Sequence, residues 1–372
     1  RSRGLGDVYK RQGVAYQARQ LGLLFNAVAG VLMAVFLFSG AGAILRMVGI
    51  ADALYEPALI YLKIVGGGCI LNAVIPIFSS YLRAFGYTKQ PLYATIVGNI
   101  ANFVMNAVFL FVLHKGVAGV AAATVISKIL NLCIVLYFSH KLISAKNSTE
   151  RIANKTVLGQ IVKVGLPSAC ETALYNVAMM LVIRFLNQMD AEGLNVTARS
   201  YTATISNFSY CVGAALAQAN AIMTGWHIGA GELEECDRGT KRAAFVGVCV
   251  AVCMETAIVL GSGFIMPLFT DNPEMTALVR KLLAIDIVLE IGRVTNLVFG
   301  QALKTSGDAV FPAVIAAVFM FVFAVGGTWL FGISMGLMAV GAYIGLASDE
   351  CVRAVGMVWR WKTGKWRTKK LV

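Results

Sequence analysis

The sequence predicts an all-α polytopic membrane protein, because it combines long apolar segments, few charges and short loops. Of the 372 residues, 58% are hydrophobic and 14% are charged, whereas soluble domains carry about 25% charged residues. Residues 21–45 contain no charge at all, and a helix of that length crosses a hydrocarbon layer of about 30 Å. A soluble protein could not bury so many apolar segments, since a single soluble core stops growing near about 250–300 residues.

Ten segments are long and apolar enough to be membrane-spanning helices. In chain order they are residues 21–45, 57–82, 92–113, 117–139, 162–188, 197–225, 243–266, 277–302, 309–331 and 334–358. A polar segment, residues 140–161, separates the first four spans from the last six. We therefore predict an N-terminal bundle of four helices over 13–139, a cytoplasmic linker over 140–161, a C-terminal six-helix bundle over 162–358 and a basic cytoplasmic tail over 359–372.

Lysine and arginine placement predicts the orientation. If the N-terminal segment is cytoplasmic, 22 basic residues lie in loops on that side and five on the other, as the positive-inside rule requires. The formal charge of +13 is then a topology signal and a contact with lipid headgroups rather than with nucleic acid. We expect a bacterial plasma membrane location with a cytoplasmic C-terminus, where the tryptophans of residues 359–372 anchor the tail at the lipid interface.

Several function classes are disfavoured by what the sequence lacks. The eight cysteines are scattered without a CxxC pair, and no P-loop, GxSxG or HExxH motif occurs, which argues against a zinc site, ATP hydrolysis and hydrolase chemistry. We expect no cofactor and no enzymatic activity. Residues 1–12 are polar, lack an initiator Met and resemble no targeting segment. We expect them to be foreign sequence and leave them out of the fold prediction.

The two halves of the chain carry a weak internal repeat. Residues 82–91 match residues 303–312 at an offset of 221, with Leu, a base, Gly and Pro at the same positions. With a one-residue gap, residues 116–119 match residues 336–339. Six spans separate equivalent positions, so the repeats run parallel across the membrane. A six-plus-six protein that lacks its first two helices explains the four-plus-six arrangement.

A set of short motifs resembles the multidrug and toxic compound extrusion (MATE) family, and the likeness covers about residues 13–370. The motifs lie at residues 82–91, 98–102, 116–124, 165–171, 217–231, 289–296, 307–308 and 349–353. The resemblance implies a MATE-like fold of two bundles with ten of the family's twelve helices. Many relatives carry an Asp where this chain has Asn106, and we expect the family's first helix to be missing, so the resemblance does not carry over a cation site in the first bundle.

The main candidate site residues form one stripe on the eighth span. At about 100° per residue, Glu290 lies about 40° from Asp286, and Arg293 lies about 20° on the other side. Ionisable groups at membrane depth are functional candidates by default. Two carboxylates facing one guanidinium leave a negative charge that a proton, Na⁺ or a cationic substrate can meet. The alternative is an Arg–Glu clamp that holds helices together. Asn296 ends the same motif and joins the candidate binding set.

A second group begins with Glu171, which lies four residues after Pro167, or about one helical turn from it, in the fifth span. The resemblance implies a Glu that faces the lumen, with Tyr175 and Asn176 beside it and Asn176 able to ligate a cation. Na⁺ is expected at Glu171 or at the acids of the eighth span, and no other metal. The alternative is a carboxylate at the level of the headgroups.

Uncharged polar residues complete the candidate set. Gln218 makes the sixth span polar, and Asn102 and Asn106 lie near one face of the third span. Each fits a cavity lining, since unpaired amides facing lipid are costly, and each fits hydrogen bonding between helices equally well. Glu255 stands alone in the seventh span, and its role is open.

The resemblance implies secondary active efflux by alternating access, in which organic cations, drugs or other toxic amphiphiles leave in exchange for H⁺ or Na⁺. One alternative is a lipid-linked oligosaccharide flippase, which would need a basic cavity for pyrophosphate. The other is a membrane receptor or scaffold that transports nothing. Expected partners are a small-molecule organic cation or drug and the lipid bilayer, with the chain as a monomer.

Overall fold

The computed structural model describes residues 2–48, 52–143, 154–190 and 193–368, and within these ranges every regular element is a helix. The chain divides into two compact units, Arg1–Ile161 and Val162–Val372. All ten predicted spans coincide with helices, so the all-α polytopic fold class is confirmed.

The first unit contains five complete helices and the beginning of a sixth. They are α1 (Ser2–Val48), α2 (Asp52–Gly67), α3 (Cys69–Ala84), α4 (Lys89–Ala107), which continues as a π-helical turn over Val108–Val112, α5 (Gly116–Leu142) and the start of α6 (Asn154–Met189). Helix α1 packs on α2 and α3, and α5 packs on α2, α3 and α4. The predicted span 57–82 is broken at Gly68, where a side chain would lie 2.9 Å from Val125 on α5. Glycine therefore permits the close approach.

The second unit is organised around α9. Its helices are the rest of α6, α7 (Leu194–Ala230), α8 (Leu233–Ile265), α9 (Pro273–Thr305), α10 (Val310–Phe319), which continues as π-helical turns over Met320–Val325 and Thr328–Ser334, and α11 (Met338–Lys362). Pro273 and the Asn272 cap fix the start of α9, because Asn272 Oδ1 accepts the backbone N–H of Glu274 at 2.8 Å. Helix α9 packs against α7, α8 and α11. Asp286 and Glu290, near the middle of α9, are therefore buried within the unit.

Three helices are more polar than a lipid-facing span. Seven helical segments in the described ranges are long and apolar enough to cross a membrane, and α7, α9 and α11 are not among them. These three helices have 37, 33 and 25 residues, so composition rather than length sets them apart. A polar helix at membrane depth needs a protein or cavity environment, and α9 has helices on several sides.

Helices extend into the three segments that the sequence analysis had placed outside the spans: the leader, the linker and the tail. Helix α1 begins at Ser2, so the segment left out as a leader continues the first span. Helix α5 ends at Leu142 and α6 begins at Asn154, so helix occupies both ends of the predicted linker 140–161. Residues 144–153 of that linker lie outside the described residues. In the predicted tail, α11 continues to Lys362 and is followed by a 3₁₀ turn over Lys365–Thr368.

The predicted lipid anchor in the tail is wrong for two of its three tryptophans. Trp361 and Trp366 are 1% and 2% exposed and stack with ring centroids 4.1 Å apart, whereas Trp359 is 58% exposed. Trp361 Nε1 donates to Asp237 Oδ1 at 2.7 Å, and Phe299 on α9 packs edge-on against the Trp361 ring. The stacked rings pack against apolar side chains of α8 and α9, so this part of the tail is folded against the second unit.

The backbone confirms the first half of the internal repeat. Tyr87 N–H donates to Leu82 O at 3.0 Å, and Asp308 N–H donates to Leu303 O at 2.8 Å, at the predicted offset of 221. Both turns place a glycine in the left-handed region, with φ of +87° and +91°. The same residues therefore build the same helix ending in each half.

The second half of the repeat has a different register from the predicted one. Lys115 N–H donates to Phe109 O, and Leu337 N–H donates to Phe331 O, at an offset of 222. Two residues of each turn have positive φ, His114 and Gly116 in the first copy and Gly336 and Met338 in the second. Residues 116–119 therefore correspond to 338–341 rather than to 336–339. Matching glycine to glycine misled the sequence comparison. Glycine occupies the second left-handed position of the first copy, Gly116, but the first left-handed position of the second copy, Gly336.

Candidate functional site

A cavity of about 570 Å³ lies inside the second unit, between α6, α7, α9 and α11. Its polar wall includes Glu171, Tyr175, Asn176, Arg199, Ser206, Asn207, Asp286, Arg293, Asn296, Lys304, Asp349, Glu350 and Arg353. Six of the predicted site residues, Glu171, Tyr175, Asn176, Asp286, Arg293 and Asn296, line this one space. The helices that contribute most of the charges, α9 and α11, are two of the three polar helices.

The stripe on α9 is present and buried. Glu290 forms an ion pair with Arg293 one turn along the helix, as the helical period predicted. Asp286 is 2% exposed and lies on the cavity wall, whereas Glu290 is fully buried behind the wall. Within the described part of the chain, Asp286 Oδ2 and Glu290 Oε2 have no hydrogen-bond partner. The ion pair between Glu290 and Arg293 therefore leaves one oxygen of each carboxylate without a hydrogen bond.

Helix α11 brings a second set of charges to α9. Glu350 Oε1 lies 3.8 Å from Arg293 Nε and 2.8 Å from Arg353, and its other oxygen accepts Asn296 Nδ2 at 3.0 Å. Arg353 also makes two bonds to Asp349, at 3.0 and 2.7 Å. The acid and base pairs of α11 are therefore local, while Glu350 joins them to the α9 stripe.

The close approach of α9 and α11 depends on Gly292. A Cβ at this position would lie 2.7 Å from the backbone N of Cys351 and from the backbone C of Glu350. Such a distance leaves no room for a side chain, so the α11 backbone rests directly on α9 beside Glu290. This contact places Glu350 within reach of Arg293.

Glu171 meets a partner that the sequence analysis did not assign. Lys304 Nζ, in the last turn of α9, lies 2.8 Å from Glu171 Oε2. Tyr175 and Asn176 line the cavity next to Glu171, and Asn176 Nδ2 donates to Thr172 O of its own helix at 3.0 Å. Glu171 and Lys304 lie 133 positions apart in the sequence, so no local sequence pattern links them.

Three of the uncharged candidates, Gln218, Asn102 and Asn106, lie outside the cavity wall. Gln218 is not among the residues of the cavity wall, where α7 instead contributes Asn207. Asn102 Nδ2 donates to Ser127 Oγ on α5 at 3.3 Å, and Asn106 Nδ2 donates to Asn102 Oδ1 at 3.1 Å. In the first unit the structure therefore shows hydrogen bonding that links α4 to α5, which is one of the two roles the sequence left open.

Glu255 is the carboxylate whose importance the sequence did not reveal. It lies on α8, is fully buried, and brings a carboxylate oxygen within 4.8 Å of one from Asp286 and one from Glu290. Neither of its oxygens has a hydrogen-bond partner of normal geometry among the described residues, and the Ser209 hydroxyl is nearby. A single acid in an otherwise apolar span was the available signal.

The cavity and the carboxylates behind it carry an excess of negative charge. The acids are Glu171, Glu255, Asp286, Glu290, Asp349 and Glu350, and the bases are Arg199, Arg293, Lys304 and Arg353. Four of these acids and all four bases line the cavity, so its wall is formally neutral, and the formal charge of −2 within the described ranges comes from Glu255 and Glu290 behind the wall. Such a site attracts cations, because charges interact strongly in a low-dielectric interior.

A multi-pass helical membrane protein with a charged internal cavity has the architecture of a transporter. The sequence model of the MatE family matches residues 10–108 and 167–330. The chain is 31% identical over 374 residues to the Bacillus subtilis (strain 168) protein named Uncharacterized transporter YisQ, over 99% of this chain and 81% of that relative. The chain belongs to the MATE family of membrane transporters.

Solved MATE structures share the fold. A mutant of the Vibrio cholerae MATE transporter VcmN superposes with a TM-score of 0.85 at 17% identity, over 99% of this chain and 86% of that one. A MOP superfamily transporter from Pyrococcus furiosus, described as having a binding pocket of reverse polarity, superposes with a TM-score of 0.79 at 19% identity, over 98% and 86% of the two chains.

Proposed function

We propose that this transporter exports organic cations or other cationic amphiphiles in exchange for inward-moving H⁺ or Na⁺. The observation that carries the proposal is the pair of additional buried carboxylates, Glu255 and Glu290, behind a cavity wall whose own acids and bases balance. Coupling requires that the driving ion and the substrate favour different conformational states. A shared acidic site supplies that competition, because whichever cation occupies it satisfies the same carboxylates.

The acid excess argues against the flippase alternative. A cavity that binds the pyrophosphate of a lipid-linked sugar needs a surplus of Lys and Arg, whereas this wall has four acids and four bases, with two further acids behind it. Pocket polarity differs among structural neighbours of this fold, since the Pyrococcus furiosus transporter is described as having reverse polarity.

We further propose a bacterial plasma membrane location, a cytoplasmic C-terminus, a monomeric state and no requirement for a cofactor. The excess of basic residues in the loops assigned to the cytoplasm supports the orientation. A chain driven by an ion gradient needs no nucleotide site, which agrees with the missing P-loop in the sequence.

The test is efflux of a cationic dye from cells that lack their own efflux pumps, with an otherwise identical anionic dye as the control. We expect the cationic dye to be exported and the anionic dye to be retained. An ionophore that collapses both the H⁺ and the Na⁺ gradients should stop export. Export that continues without gradients would contradict antiport, and a chain that moves neither dye in reconstituted vesicles would favour the scaffold alternative.

A further inference from the structure

We propose that Arg199 on α7 is a specificity-determining residue that binds a carboxylate group of the transported amphiphile. This inference rests on the proposed function and deepens it, because it adds an anionic group to the expected cationic substrate. The transported molecule would then be amphoteric, with a carboxylate at one end and a cationic group elsewhere. Arg199 lines the cavity of the second unit, and the sequence analysis did not select it.

The bases of the cavity wall have protein partners, with one exception. Lys304 pairs with an acid of α6, while Arg293 and Arg353 pair with acids of α9 and α11, respectively. Of the four bases, Arg199 is the one that makes no ion pair within the described ranges. Among the acids of the wall, Asp286 is in the same situation. The wall is therefore neutral as a whole but presents one guanidinium without a carboxylate.

The guanidinium of Arg199 has only a weak hydrogen-bond acceptor beside it. Arg199 Nη2 donates to Sδ of Met179 on α6 at 3.6 Å, and a thioether sulfur is a weak acceptor. A charged group at membrane depth is costly unless it is paired or faces a polar cavity. A planar guanidinium binds a carboxylate through two parallel N–H···O bonds. A carboxylate on the ligand would therefore supply the partner that is missing among the described residues.

The start of α7 is anchored, which fixes the backbone that carries Arg199. The two carboxylate oxygens of Asp190 accept the backbone N–H groups of Leu194 and Asn195, each at 2.9 Å. Asn195 Oδ1 in turn accepts the backbone N–H of Ala339 at the start of α11, at 3.0 Å. Arg199 lies in the second turn after this anchor. A binding group on a fixed helix keeps its geometry better than one on a loop.

Arg199 lies at the opposite end of the cavity from the α6–α9 ion pair. Helices α7 and α9 run in the same direction, since Gly213 lies against Val294 and Gly225 lies against Thr305. The second turn of α7 is therefore far from the last turn of α9, where that ion pair forms. One ligand could thus place its carboxylate at the α7 start and its cationic group nearer the acids in the middle of α9.

Three tyrosines of the wall offer aromatic surface for the body of such a ligand. Tyr175, Tyr210 and Tyr343 all line the cavity, and Tyr175 and Tyr343 lie within electrostatic reach of Arg199. Ligand pockets commonly combine aromatic walls with a few polar groups that fix the orientation of the ligand. The combination favours an aromatic amphiphile that carries a carboxylate.

The test compares two dyes that differ in one group, a rhodamine with a free carboxylate and the methyl ester of the same dye. Both carry the cationic xanthylium ring. Binding to the purified full chain is measured by fluorescence anisotropy in phosphatidylcholine nanodiscs at neutral pH. Arg199→Gln should weaken binding of the carboxylate dye by about tenfold or more, as expected for a lost hydrogen bond between charged groups. Its affinity for the ester should equal that of the parent.

Two further variants complete the comparison. Arg280→Gln is the matched control, because Arg280 is an exposed arginine on α9 outside the cavity wall, and it should bind both dyes like the parent. Arg199→Lys keeps the charge but loses the forked geometry, so its affinity for the carboxylate dye should lie between those of the parent and Arg199→Gln. If Arg199→Gln fails to fold, selective weakening of the carboxylate dye in Arg199→Lys decides the question.

Equal weakening of both dyes in Arg199→Gln, or unchanged affinity for the carboxylate dye, would overturn the inference. An anionic lipid headgroup is the other source of a partner for Arg199. If phosphatidylglycerol in the nanodiscs abolishes binding of the carboxylate dye to the parent but not of the ester, Arg199 binds lipid, and the inference is wrong. Gradient-driven efflux of the ester dye by the parent would leave the proposed function standing in either case. Failure of that efflux under both H⁺ and Na⁺ gradients would overturn the proposed function instead.

Discussion

At the scale of single residues, the acids of α9 differ in how their charge is compensated. Glu290 pairs with Arg293, which Glu350 also approaches, whereas Asp286 makes no ion pair within the described ranges. Each of the two acids keeps one oxygen without a hydrogen-bond partner there. Helical periodicity was enough to predict that Asp286, Glu290 and Arg293 share a face. It could not predict Glu255 or Lys304, because those contacts join different helices and depend on how the helices pack.

The substitution Glu290→Gln removes both the proposed coupling role and the structural ion pair. It should abolish gradient-driven dye export and lower the melting temperature, because Arg293 loses its main partner and breaking a buried ion pair costs about 3–5 kcal/mol. Glu350 remains near Arg293, so the loss should fall at the lower end of that range. The measurements are dye efflux and thermal unfolding of the purified protein.

The double variant Glu290→Gln with Arg293→Gln is the matched control. It removes the pair as a unit, so we expect the melting temperature to recover while export stays absent. If export returns together with stability, Glu290 has no coupling role, and the pair is a clamp between helices.

At the scale of helices, the contact between α9 and α11 at Gly292 sets the geometry of the charged wall. Gly292→Ala should lower stability by about 1–3 kcal/mol, the usual effect of overpacking, because the new methyl group meets the α11 backbone at 2.7 Å. Thermal unfolding is the measurement. Gly300→Ala on the same helix is the control, since the nearest atom to its Cβ would be 3.9 Å away, and its melting temperature should not fall.

The buried tail supplies a second test at this scale. Trp366→Ala should destabilise the protein by about 3–5 kcal/mol, as for other buried tryptophans, because the ring is stacked on Trp361 and 2% exposed. Trp359→Ala serves as the control, since that ring is 58% exposed. Equal melting temperatures for the two variants would contradict the packed arrangement and restore the lipid-anchor prediction for Trp366.

At the scale of the whole molecule, hydropathy and motif order were enough to predict ten helices and the family. Hydropathy predicts these spans well because a segment in lipid must satisfy its own backbone hydrogen bonds, and an α-helix is the simplest structure that does so. The break at Gly68 and the second half of the repeat were not predicted. Both depend on backbone conformation, and the positive φ of His114 and Met338 has no signature in residue type.

His114 and Met338 mark the positions in the duplicated turn at which a substitution should stabilise the protein. A residue with a Cβ pays about 1–2 kcal/mol to adopt the left-handed conformation, whereas glycine does not. His114 stands where the other half has Gly336, and Met338 stands where the other half has Gly116, so each copy shows the glycine that would relax its counterpart. Installing both, as His114→Gly with Met338→Gly, should raise the melting temperature by about 2 °C or more. The reciprocal exchange, Gly116→Met with Gly336→His, should lower it. In a transporter with an internal repeat, each copy of a turn thus identifies a stabilising substitution for the other copy.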